Sequence, residues 1–217
     1  MIKLEKPDIY GWEAAIRGMR NPLNSWHKSD SYWLYGSGKP MYHLGDSDLA
    51  LMKRLSKAGD DHAKFLRMIN VTVDITAPLY WHKEFDTYKV GTVANSCSTM
   101  HKITSKSIEL SDFSIDDFYL GDDIELDLKD MFINVVADCE SLREKYLETK
   151  DKRYWRGLIQ LLPTSYNQKR TVQLNYQVLK SMYFARRTHK LDEWREFCEW
   201  MLTLPFFKEI CVDVHEI

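Results

Sequence analysis

The clearest pattern along the chain is an alternation. Val71, Val73 and Ile75 are apolar, and Thr72, Asp74 and Thr76 around them are polar. Successive side chains of a strand point to opposite faces, so this period of two predicts a half-buried strand over 71–75. Pro78 ends it and can open a helix, whose first turn leaves its amides unbonded in any case. Elsewhere apolar residues recur every three or four positions. Met131, Val135, Cys139, Leu142 and Tyr146 predict an amphipathic helix over 128–149. Trp12, Ala15, Ile16 and Met19 predict a short helix over 8–20. Leu49, Met52 and Leu55 predict another, starting near Ser47, whose hydroxyl can cap the first turn, and stopping at Gly59.

Phe65, Leu66 and Ile69 predict a second short helix beyond that stop. Further helices are expected over 154–162, 176–187 and 191–204, the last with Trp194, Phe197, Cys198 and Met201 on one face. A short strand is expected over 171–174. Residues 21–45 mix Gly and Pro with Tyr32, Trp33, Tyr35 and Tyr42, and read as an ordered loop region pinned by aromatics. The acidic stretch 121–127 reads as a solvated turn and helix start. Helices dominate and strands are few. The expected class is α+β, helix-rich with a small central sheet, rather than a regular βαβ alternation.

Composition narrows this little. The chain has 217 residues, 44% of them hydrophobic, which argues against disorder and suits a single domain over 1–217 or two small ones. The formal net charge is -2, without the basic surplus of many duplex-DNA binders, although a small anion needs only a local cluster of cations. The N-terminal residues carry charges throughout, unlike a signal peptide, and no apolar run approaches the roughly 20 residues that span a bilayer. A cytoplasmic protein without a membrane anchor is expected. Cys97, Cys139, Cys198 and Cys211 show no CxxC spacing, and no two of the seven histidines are three or four residues apart, so no metal site is expected. Cys139 and Cys198 lie on apolar helical faces and read as small buried hydrophobes.

Two segments carry candidate chemistry. Residues 77–101 begin as a helix and become a run of short polar side chains: Asn95, Ser96, Cys97, Ser98 and Thr99. Short donors and nearby amides suit an anion or a planar heterocycle; an ordered polar turn is the plainer alternative. Residues 161–187 end in Arg186 and Arg187, which could clamp a phosphate or simply complement a helix C-terminus.

Together these segments resemble the flavin-dependent thymidylate synthases. That family carries Arg-His-Arg-x-x-Ser-x-Asn-Glu-x-Ser-x-Arg after a strand, an Ala-Pro break and a helix ending in Gln. Later come Leu-Pro, Tyr-Thr, Asn-x-Arg-Ser-Leu, an Arg, and His-Ala-Gln-Trp. Here Ala77-Pro78 supplies the break and Glu84 stands for the Gln. Thr87-Tyr88-Lys89 takes the place of Arg-His-Arg, Thr92 matches the Ser, and Asn95 matches the Asn after one inserted residue. Ser96 replaces the Glu, Ser98 keeps the Ser, and Met100 replaces the last Arg. Leu162-Pro163, Tyr166-Asn167, Asn175-Tyr176-Gln177 and Leu179 follow in family order, Arg186 falls on the nucleotide-binding Arg, and Leu191–Trp194 resembles His-Ala-Gln-Trp, displaced by one. The similarity spans 65–194.

The resemblance implies reductive one-carbon transfer to a pyrimidine deoxynucleotide (dUMP to dTMP), with FAD as cofactor, NADPH and methylenetetrahydrofolate as co-substrates, and a homotetramer. Residue by residue it implies Glu84, Ser96, Ser98, Thr99 and Arg186 at the nucleotide, Arg186 as the catalytic position, and Thr87, Tyr88, Lys89, Asn95, Asn175 and Gln177 at the flavin. The departures bear on the chemistry. Losing a charge-assisted bond to phosphate costs about 1.5–3 kcal/mol. The signature here has lost several arginines, so other cations must compensate or the ligand set has changed; Lys83, Lys89, Lys102, Arg170, Arg186 and Arg187 are candidates. Two alternatives stand beside the enzyme: a nucleotide-binding protein on the same fold that has lost the flavin, and an assembly protein.

Overall fold

In the computed structural model the described residues are 2–36, 38, 40–119 and 128–215. The acidic stretch 121–127 lies outside them. The strands are β1 (Lys3–Tyr10), β2 (Tyr32–Leu34), β3 (Met41–His43), β4 (Asn70–Pro78), β5 (Val93–Ser96) and β6 (Asn167–Asn175). The α-helices are α1 (Trp12–Arg20), α2 (Asp46–Lys57), α3 (Leu79–Phe85), α4 (Thr99–Lys102), α5 (Leu128–Thr149), α6 (Lys152–Leu161), α7 (Tyr176–Arg186) and α8 (Asp192–Leu202). One sheet has the order β1-β4-β6-β5, and β2 pairs with β3 in a separate antiparallel ribbon. The fold is helix-rich α+β with a small sheet, as the periodicity predicts.

The alternation at 71–75 is the middle of β4, where Val71, Val73, Ile75 and Ala77 are buried and the residues between them half-buried. Pro78 ends β4, as expected, and in extended conformation stands one position before the first turn of α3 rather than in it. The expected helix over 8–20 starts later, because residues 8–10 finish β1. Gly11 separates the two at φ 97°, and a Cβ there would lie 2.0 Å from the carbonyl oxygen of Met68. The helix expected at 65–69 is a 3-10 turn, Lys64–Arg67. Ser47 does not cap α2. The carboxylate of Asp30 takes the amides of Ser47 and Asp48 at 2.8 and 3.1 Å, so the cap comes from the preceding loop. The aromatics of 32–42 form the β2–β3 ribbon, which the sequence reading leaves as loop.

The chain divides into two compact units. The first comprises Met1–Glu5, Asp74–Thr87 and Ala94–Thr171; the second comprises Lys6–Val73, Tyr88–Val93 and Val172–Ile217. In the first, α5 and α6 pack together, with Gly157 meeting Leu142. Phe113, Phe132, Val136, Cys139 and Leu158 form a core there, with Phe113 edge-on to Phe132 at 5.2 Å. Burial pushes the Cys139 thiol up to about 11, as suits a small buried hydrophobe.

In the second unit Trp12, Tyr176 and Phe207 interlock edge to face at 5.7 and 5.3 Å. The Tyr176 hydroxyl donates to the Pro205 carbonyl at 2.7 Å, which satisfies the polar end of a buried ring. Asp48, fully buried, pairs with Arg20 at 2.6 Å and accepts from the hydroxyls of Ser29 and Ser31, both at 2.7 Å. Arg20 also donates to the carbonyls of Ser25 and Lys28, which ties the 25–31 loop to α1 and α2. Among the described residues no helix is long and apolar enough to cross a membrane.

Candidate functional site

In the first unit β6 opens on polar residues, and they organise the run that follows β5. Gln168 is buried; its Nε2 donates to the Cys97 carbonyl at 2.7 Å and its Oε1 accepts from Arg170 Nε at 3.0 Å. Arg170 in turn bonds Asp86 at 2.6 Å. The Cys97 amide donates to the Lys169 carbonyl at 2.8 Å, so residue 97 is fixed through both its backbone groups. His82, on α3 and fully buried, has Nε2 2.9 Å from the Gln168 carbonyl. A carbonyl only accepts, so Nε2 carries the proton and donates. Burial, chiefly, brings the His82 pKa down to about 4, so the ring is neutral near pH 7. Among the described residues nothing bonds its Nδ1.

Beyond Cys97 the chain turns. Ser98 accepts from the His101 amide at 3.1 Å and starts the single turn of α4. Residues 97–99, 102–103, 105–106, 111–112 and 166–169, with Thr76, enclose a cleft of about 360 Å3. Hydroxyls of Ser98, Thr99, Ser105 and Ser111 line it, beside the thiol of Cys97 and the phenol of Tyr166. Burial and the nearby Asp112 hold the Tyr166 pKa above its ordinary value, so the phenol stays a hydrogen-bond donor.

Three lysines reach the cleft against one carboxylate. Lys106 pairs with Asp112, and that bond raises its pKa. Lys169 pairs with Asp74 at 3.1 Å and with Glu5 at 3.6 Å. Lys102 has no ion-pair partner among the described residues. An uncompensated cation, Lys102, with several short donors suits a small anion. Among the described residues no group of three or more His, Cys, Asp or Glu is placed to hold a metal.

Of the sequence candidates, Ser98 and Thr99 line this cleft. Asn95 and Ser96 lie on the exposed strand β5, and Glu84 is half-buried on α3. The Glu84 carbonyl accepts the Thr87 hydroxyl at 2.8 Å. The remaining candidates belong to the second unit. There Arg186 lies with its guanidinium carbon 4.7 Å from the Trp194 ring centre and 5.6 Å from that of Tyr88. Its Nε donates to the Tyr88 hydroxyl at 2.9 Å, and Tyr88 meets Trp194 edge-on at 5.9 Å. Lys89 is exposed. The Asn175 side chain caps α7 by accepting from the Val178 amide at 3.1 Å. Gln177 buries its Oε1 without a partner among the described residues.

The sequence reading does not single out Lys106, Lys169 or Gln168. Only Gln168 leaves a trace there: it shares the inward register of Val172 and Leu174, two and three steps of two further along the strand.

No protein-family model and no curated protein sequence matches this chain. Solved structures do. A flavin-dependent thymidylate synthase ThyX from Helicobacter pylori, complexed with FAD and dUMP, superposes with a TM-score of 0.69 at 16% identity, covering 98% of this chain and 99% of that one. A second structure of ThyX from Helicobacter pylori with FAD and dUMP gives a TM-score of 0.68 at 15% identity, with 100% of both chains covered. Nearly the full length of each chain superposes, so this chain has the ThyX fold.

Proposed function

We propose that this chain is a thymidylate synthase-like protein that binds a pyrimidine deoxynucleotide in the cleft around Cys97, and that its reaction is the reductive one-carbon transfer of flavin-dependent thymidylate synthases, with FAD, NADPH and methylenetetrahydrofolate. The observation that carries the nucleotide reading is the cleft itself: Lys102, Lys106 and Lys169 beside the hydroxyls of Ser98, Thr99, Ser105 and Ser111. Its support from outside is the fold, shared with proteins complexed with dUMP. In this reading the lysines neutralise the phosphate and the hydroxyls of Ser98, Thr99 and Ser111 donate to its oxygens, while that of Ser105 donates to the Lys102 carbonyl at 2.6 Å and holds the turn. The bonds that Gln168 and Lys169 make to the Cys97 backbone keep the donors oriented before the ligand arrives, which lowers the ordering cost of binding.

The flavin positions fit FAD poorly. A diphosphate needs fixed positive charge, and residues 87–89 supply it through Lys89 alone. The Thr87 hydroxyl is bonded to the Glu84 carbonyl, the Tyr88 hydroxyl accepts from Arg186, and Asn175 caps its helix. These internal bonds favour a second reading: a nucleotide-binding protein on the same fold that has lost flavin chemistry.

One experiment separates the two. The purified protein is titrated with dUMP and with FAD while its thermal midpoint and visible absorbance are followed. Saturating dUMP stabilises it under both readings, by about 2.7 kcal/mol at a hundredfold excess over Kd. A yellow protein, or one stabilised by FAD, supports the enzyme; a colourless protein indifferent to FAD supports the second reading. No response to dUMP sinks both.

A further inference from the structure

The second unit contains a cavity of different character. It measures about 550 Å3 and lies among α1, α2 and the turn 61–68. Its wall is apolar: Met19, Leu51 and Phe65 are buried at its base, and Leu55 is half-buried beside them. Gly18 contributes to the shape, because a Cβ there would lie 3.1 Å from the Met68 sulfur; its absence lets Met68 lie down on α1. At the mouth Leu23 and Met68 remain 73% and 40% exposed, large apolar surfaces that nothing described covers.

The rim is charged and unbalanced. Arg54, Lys64 and His62 face one carboxylate, Asp61. Among the described residues neither Arg54 nor Lys64 has an ion-pair partner. A cavity of this size falls in the range that encloses a small organic ligand, with a few polar groups fixing its orientation. Apolar walls take the body of such a ligand, and unpaired cations at the mouth take an anionic head.

We propose that this cavity is a second binding site, for an amphipathic organic anion: an apolar chain or ring against Met19, Leu51, Leu55 and Phe65, with a carboxylate held at Arg54 and Lys64. The site shares no lining residue with the cleft around Cys97. Two groups of opposite preference are thereby built into one pocket. A purely apolar ligand leaves the cations without a partner, and a purely ionic one leaves the walls wet.

The test compares three probes of equal chain length, decanoate, 1-decanol and decylamine, by isothermal titration below their aggregation limits. The full-length protein is expected to bind one decanoate per chain, with 1-decanol at least about tenfold weaker, the ratio that one charge-assisted contact gives. The double variant Arg54→Glu/Lys64→Glu changes two exposed side chains, and an unchanged melt shows that it folds. It is expected to lose decanoate and to bind decylamine instead. Met68→Glu, also at an exposed position, is expected to weaken decanoate alone. The proposal is overturned if decanoate and 1-decanol bind equally, if the charge reversal leaves their order unchanged, or if no saturable binding occurs. It is equally overturned if sedimentation shows that a second copy of the chain covers this face and excludes decanoate.

Discussion

Asp48 and Cys97 each stand at the centre of a cluster of polar groups, and the two clusters are arranged on opposite principles. Around Asp48 every strong donor and acceptor has a partner within the second unit: the carboxylate takes Arg20, Ser29, Ser31 and two loop amides. Burial by itself would raise the Asp48 pKa, but the bonds from Ser31, Ser29 and Arg20 outweigh it and hold the group below the usual carboxylate range. Around Cys97 the backbone is as firmly tied, through Gln168 and Lys169, yet the side chains of Ser98, Thr99 and Lys102 line an open cleft. A saturated cluster fixes the chain, and a cluster whose frame is saturated but whose side chains face solvent is suited to receive a ligand.

Substitutions can break this contrast, the largest first. Asp48→Ala leaves the Arg20 guanidinium buried and unpaired, so urea melts are expected to lose about 3–5 kcal/mol of stability. A loss below 1 kcal/mol would refute the clamp. Next comes the frame of the cleft. His82 has its pKa lowered from 6.5 to about 4, so the folded protein resists protonation where the unfolded chain accepts it. The stability it contributes is complete above pH 6.5 and is lost as pH falls through about 4. At about 1.4 kcal/mol per unit, the shift corresponds to roughly 3 kcal/mol. His82→Gln is expected to flatten the pH dependence of stability between those values; an unchanged slope would place its origin elsewhere.

Two further substitutions probe binding with little effect on the fold. Lys102→Ala removes an exposed charge, so the melting midpoint is expected to hold while dUMP affinity falls about tenfold or more. Equal affinities would take the cleft out of nucleotide binding. Ser98→Ala removes one hydroxyl that also caps α4, and is expected to cost on the order of 0.5–1 kcal/mol in both stability and affinity. A change in one without the other would show which role Ser98 has.

How much of this the sequence reveals follows from where each signal resides. β4 and α5 announce themselves, since one face of each is buried and the period is carried by the residues themselves. β1 does not: Lys3, Glu5 and Lys6 interrupt any alternation, and it is recognised only through pairing with β4. The β2–β3 ribbon is missed because Tyr32, Trp33 and Leu34 are all exposed, so neither face imposes a period. The same reasoning covers the cleft. Ser98 and Thr99 are visible as a local polar run, and Lys102 as a nearby cation. Lys169 and Gln168 come from a strand some seventy residues later, whose place beside residue 97 is decided by sheet order. At Ser47 the local signal is correct in kind and wrong in address, because the carboxylate that caps α2 belongs to Asp30.

The cysteines carry a practical consequence. Cys139, Cys198 and Cys211 are buried, and burial raises the thiol pKa of each. Cys97 alone among the four is exposed, and it borders the cleft. Reactivity towards an alkylating dye is concentrated at that one position, the thiol that a reagent can reach. The native protein thus contains its own occupancy gauge: the rate at which a maleimide labels Cys97, with and without a ligand present, reads out protection of the cleft with no engineered tag.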